Sequence, residues 1–133
     1  MEKEDQQELI FKFNMLEQQI QQIRQQLEAI EQAITELNSL YLGLEDLVGS
    51  KDKEILAPIG KGIFAKTKLL SEKLIVDIGG KNFVNKTIPD TKKIIKDQII
   101  KLEEARENLE KSMDEINQEL THLMLDAQKK EKN

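Results

Sequence analysis

The sequence predicts an α+β chain, a long antiparallel coiled-coil helical hairpin whose two helices are joined by two β-hairpins. Three observations carry this. An apolar heptad runs unbroken from Leu9 to Val48, a second runs from Ile95 to Ala127, and the stretch between them, Ile55 to Ile88, cannot be a long helix. That stretch holds Gly60, Gly62, Gly79 and Gly80, with Pro58 inside it and Pro89 beside it, among short β-branched and aromatic runs. The 133 residues are expected to form one domain: an N-terminal helix over 1–49, hairpins over 54–88, a C-terminal helix over 89–128 and a tail over 129–133.

In the first heptad the apolar spacings alternate four and three, through Leu9, Phe13, Leu16, Ile20 and on to Tyr41, Leu44 and Val48. An average of about 3.5 residues winds helices into a left-handed coiled coil. At about 1.5 Å per residue this helix would be a rod of roughly 60 Å. Gly49 is placed to cap its C-terminus.

Two hairpins follow. Ile55 to Ile59 returns through Gly60-Lys61-Gly62 into Ile63 to Leu70, and Leu74 to Ile78 returns through Gly79 to Asn82 into Phe83 to Ile88. Isolated two-stranded hairpins are marginal in water, so apolar residues such as Leu74, Val76 and Ile78 need another sheet. The stretch therefore reads as an assembly module.

Thr87-Ile88-Pro89-Asp90 resembles a helix start: Thr87 can cap, Pro89 costs no internal hydrogen bond in the first turn, and the Asp90 carboxylate favours the helix N-terminus. Arg106 alone breaks the second heptad. It is expected to lay its stem in the seam and reach a glutamate, a polar layer that sets register. Pairing positions that sum to 136 sets Leu9 against Ala127, Phe13 against Leu123, Ile30 against Arg106 and Tyr41 against Ile95.

Composition limits the alternatives. The chain has no cysteine, hence neither disulfides nor Cys-based metal sites or nucleophiles. Its apolar fraction of 38% and charged fraction of 34% suit an elongated body more than a thick core. No apolar run approaches the roughly 18–20 residues that span a bilayer, and Glu2, Glu4 and Asp5 make the start too acidic for a leader. A cytoplasmic protein without membrane contact is expected. Residues 51–101 carry 12 basic and 6 acidic groups, against 3 and 10 in residues 1–50. A basic middle can attract nucleic acid, but its lysines alternate with apolar positions, as on the solvated face of a sheet with Lys blunting its edges, and no nucleic-acid partner is expected.

Catalysis finds little support. His122 is the lone histidine, and Gly60-Lys61-Gly62 and Gly79-Gly80-Lys81 do not fit the phosphate-loop pattern. No catalytic residue, metal or cofactor is assigned.

The functional signal lies in large apolar residues outside the seam. With Phe13 at heptad position a, Ile10 is at e, Phe11 at f and Met15 at c, and near the other end Met124 is at e and Leu125 at f. Only small alanines break the polar faces between Glu17 and Ser39. An exposed apolar patch marks a binding surface, and Met-rich patches adapt to varied partners.

Ile55-Leu-Ala-Pro-Ile-Gly-Lys-Gly-Ile-Phe64, then Val76-Asp-Ile-Gly79 and Phe83-Val-Asn-Lys-Thr87, set between matching heptads, resemble the two-hairpin alpha class of prefoldin subunits across essentially the whole chain. Ala57 and the Lys81-Asn82 insert depart from the family pattern. The resemblance implies two alpha subunits with four beta-type subunits, hairpins joined into a double β-barrel, and an ATP-independent chaperone that holds unfolded polypeptides and delivers them to a group II chaperonin. It places client binding on Leu9, Ile10, Phe11, Phe13, Met15, Leu16, Leu120, Leu123, Met124 and Leu125. It places subunit assembly on Ile55, Leu56, Pro58, Ile59, Ile63, Phe64, Leu74, Val76, Ile78 and Phe83. The alternative from another class is a structural coiled-coil scaffold or filament-forming relative without client transfer.

Overall fold

A computed structural model describes residues 2–132, and side chains over residues 2–130. Helix α1 spans Lys3–Glu45 and helix α2 spans Ile88–Lys132, with strands β1 (Glu54–Gly60), β2 (Ile63–Lys68), β3 (Leu74–Asp77) and β4 (Phe83–Lys86) between them. The chain divides into two compact units: residues 1–33 with 102–133, and residues 34–101.

In the first unit the helices run antiparallel, because Leu9 and Ala127 line one cleft while Arg106 reaches Glu31. Every expected seam residue here is buried or half-buried, from Leu9 to Ile30 on α1 and from Leu102 to Ala127 on α2. The Arg106 Nη1 donates to Glu31 Oε1 at 2.7 Å, the polar layer that the broken heptad predicts. Glu31 holds the guanidinium above its usual pKa, first through this hydrogen bond and then through its charge.

The second unit has a small core. Leu44, Ile88 and Ile95 are buried together, with Leu37, Tyr41, Leu47, Leu74 and Ile99 packed around them. Lys92 Nζ sits 4.7 Å from the Tyr41 ring centroid and donates to Glu45 Oε1 at 2.9 Å. Its stem covers apolar surface while its charge meets a ring face and a carboxylate. At the start of α2, the Asp90 N–H donates to Thr87 Oγ1 at 3.2 Å, and buried Thr91 returns its hydroxyl to the Thr87 carbonyl at 2.8 Å.

β1 and β2 pair antiparallel, as do β3 and β4, in two separate two-stranded sheets. Pro58, which has no N–H to give, opposes Phe64, and the register shifts between Pro58 and Gly60. Proline fits such an edge strand beside a bulge. The turn has positive φ at Lys61 (48°) and Gly62 (80°). In the second turn the Ile78 N–H donates to the Asn82 carbonyl at 2.9 Å and the Gly79 N–H to Asp77 Oδ1 at 2.9 Å. Both glycine-lysine stretches are hairpin turns, and the Lys81-Asn82 insert sits within the second. Ala57 lies opposite Ala65, so two small side chains share that position.

Three boundaries differ from expectation. α1 ends at Glu45 rather than 49; beyond it Leu47 and Val48 bond back three residues, to Leu44 and Glu45. This tighter winding leaves Val48 exposed and brings Leu47 onto the core instead. Ile88, expected at the end of the last strand, opens α2 and is only 3% exposed, packed in the core with Leu44 and Ile95. Residues 129–132, expected as a tail, continue α2. Residue 133 of that tail and residue 1 of the expected first helix lie outside the described residues.

Candidate functional site

The candidate client surface lies in the first unit, at the start of α1 and the end of α2. There the seam residues Leu9, Phe13, Leu16, Leu120, Leu123 and Ala127 are half-buried. On the flank formed by the e positions, Leu9, Ile10, Phe13, Leu123, Met124 and Ala127 line an open cleft of about 160 Å³. All six are apolar, so the cleft offers van der Waals contact and no fixed hydrogen bond.

Phe11 and Leu125 stand outside this cleft, 64% and 50% exposed at their f positions. Ile10 (59%) and Met124 (55%) are comparably open. Met15, Leu16 and Leu123 line a second groove on the opposite flank. Leu120 stays in the seam and lines neither cavity. Coiled-coil periodicity makes this arrangement: a and d residues face the partner helix, which leaves e, f and c residues to solvent whatever their hydrophobicity.

The candidate assembly surface lies in the second unit. Leu56, Ile59, Ile63, Phe64, Ile78 and Phe83 are each more than half exposed, and Pro58 is exposed with them. Ile55, Leu74 and Val76 are half-buried, Leu74 against the core of its own chain. Beside β3 a cleft of about 850 Å³ is lined by Leu37, Leu40, Leu44, Val76, Ile94 and Ile95 among others. Strict alternation missed Ile75, 74% exposed. The unbroken run Leu74-Ile75-Val76 was the available signal, because a strand apolar on successive residues presents both faces for burial.

His122 is exposed. Among the described residues, no group of three or more His, Asp or Glu is placed to hold a metal ion, and no helix is long and apolar enough to cross a membrane.

Two long helices paired antiparallel and two β-hairpins, with apolar side chains exposed on both, define the class: a coiled-coil protein with inserted β-hairpins. The pattern of the prefoldin family, described as "Prefoldin subunit", matches residues 16–133, and the chain belongs to that family. Its relatives include prefoldin alpha subunits. It is 28% identical to the prefoldin subunit alpha of Methanosphaera stadtmanae over 66% of this chain and 64% of that one. It is 31% identical to that of Methanoregula boonei over 74% of this chain and 65% of the relative. The matched part thus spans just under two thirds of these relatives. The fold is similar to a chain of filamentous PFD from Methanocaldococcus jannaschii solved by cryo-EM, with a TM-score of 0.77 at 22% identity, covering 86% of this chain and 96% of that chain.

Proposed function

We propose that this alpha-type prefoldin subunit is part of an ATP-independent chaperone that holds unfolded polypeptides at its helix ends and passes them to a group II chaperonin. The observation that carries the reading is the exposure of Phe11 and Leu125 at solvent-directed heptad positions beside an all-apolar cleft. The family match supports the same reading. Each helix end would bind weakly, and several ends on one client would raise the avidity.

The partners proposed are beta-type subunits, four to two alpha chains, in a cytoplasmic hexamer whose hairpins close a double β-barrel. Free strand edges and exposed Leu56, Phe64, Ile75 and Phe83 favour such closure. A second reading, a filament, is favoured by the similarity to filamentous PFD. Light scattering separates the two, since a hexamer has a fixed mass and a filament a mass that grows with concentration.

The test of holding is suppression of aggregation of a chemically unfolded client by the assembled protein without nucleotide. Phe11→Ser with Leu125→Ser should weaken protection while helicity and assembly mass stay unchanged. A wild type that gives no protection overturns the reading.

A further inference from the structure

The two flanks of the helix end differ in chemistry. The e flank carries Ile10 and Met124 around the all-apolar cleft. On the g flank, Met15, Leu16 and Leu123 form an apolar floor in a groove of about 450 Å³, rimmed by Lys12, Gln19, Glu119, His122 and Asp126. Glu119 and Asp126 are one heptad apart on α2, both at g and both exposed.

The rim is only partly neutralised: Lys12 lines the groove with both carboxylates, and in the adjoining cleft Lys12 and Lys130 stand beside Asp126 together with two more carboxylates, Asp5 and Glu8. Antiparallel pairing brings g positions of the two helices to the same flank, and on α1 these are Lys12 and Gln19. Gln19, opposite Glu119, has no charge. Lys12 Nζ lies 3.8 Å from Glu8 Oε1 on its own helix. Among the described residues neither Glu119 nor Asp126 has an ion-pair partner within 4.0 Å.

We infer that this groove is a charge-selective subsite for unfolded chains, taking segments in which Lys or Arg lies beside apolar residues. The inference rests on the holding function proposed above and names the client class of that site. A lysine or arginine side chain matches the groove in both parts. Its aliphatic stem lies on Met15, Leu16 and Leu123, and its cation reaches the Glu119 or Asp126 carboxylate. An acidic segment meets like charge at the same rim and is disfavoured. The e-flank cleft supplies charge-independent affinity, and the g-flank groove supplies the preference.

The test measures binding of three fluorescent peptides to the full chain in its assembled form. They share one apolar sequence and differ only in two flanking residues: Lys, Glu or Ser. At low ionic strength the Lys peptide should bind several-fold more tightly than the Ser peptide and the Glu peptide several-fold more weakly, with the spread collapsing in high salt. Glu119→Gln with Asp126→Asn should erase the spread while leaving the Ser peptide unchanged. Gln19→Lys, which sets a cation opposite Glu119, should reduce it independently. Circular dichroism confirms that each variant keeps wild-type helicity. Equal binding of all three peptides to wild type overturns the charge selectivity and leaves the holding function standing. A Lys preference that survives both sets of substitutions overturns the assignment to this groove. Failure to bind any of the three peptides overturns both.

Discussion

Arg106 on α2 donates from Nη1 to the Glu31 carboxylate on α1 at 2.7 Å, an ion pair that joins the two helices. It replaces an apolar layer in an otherwise continuous seam. A polar residue at one a position costs stability and specifies register.

Reversing one charge leaves two like charges face to face. Arg106→Glu and Glu31→Arg should each lower the thermal unfolding midpoint, and the double exchange should recover part of the loss. Circular dichroism melts of the four proteins form the cycle. Additive losses with no recovery would mean that the pair is not coupled.

The same antiparallel pairing sets Phe13 and Leu123 on one cleft. Phe13→Cys with Leu123→Cys should therefore form a disulfide on mild oxidation, visible as a mobility shift on a non-reducing gel. The pair Phe13→Cys with Ile116→Cys, offset by one heptad, should not. The reverse pattern would require a shifted register.

Ile88 and Val48 test where the second unit keeps its core. Ile88 is 3% exposed and Val48 61%, although both lie near helix ends in apolar stretches. Ile88→Ala should cost about 2–5 kcal/mol and Val48→Ala less than about 0.5 kcal/mol, measured by urea unfolding followed by circular dichroism. Similar losses at the two positions would contradict the packing described.

Thr87 caps α2 through the Asp90 N–H. Thr87→Ala should cost about 1 kcal/mol, and Thr87→Ser should retain most of the stability. Equal losses in the same unfolding experiment would show that the hydroxyl is not the stabilising group.

The long-range periodicities were legible in the sequence. A 3.5-residue repeat can be satisfied only by a helix that buries one stripe, so Leu9 to Leu44 and Ile95 to Ala127 fall on the seam as expected. Ends were less legible. Val48 continues the repeat, yet i to i+3 bonding after Glu45 rotates it outward and rotates Leu47 in. Ile88 matches a strand in composition, but the Thr87 cap ahead of it and Pro89 and Asp90 behind it place it in the first turn of a helix. At the candidate site, the apolar e and f residues were visible because a heptad assigns them to solvent. The difference between the e and g flanks was present in the same letters; what Gln19 leaves open appears only when Glu119 is set across from it. The exposed hairpin residues, Ile75 above all, are left uncovered by the chain's own two-stranded sheets, and the alternation of a single strand does not mark them.

The most direct measurement is site-specific photo-crosslinking of an unfolded client to the assembled protein, with a photoreactive residue at Phe11 or Leu125 and, for comparison, at Gln22 or Glu107 on the polar faces of the same helices. Client adducts should form at Phe11 and Leu125 and be near background at Gln22 and Glu107. Equal yields at all four positions, or adducts only at the polar faces, would contradict client holding at the helix ends.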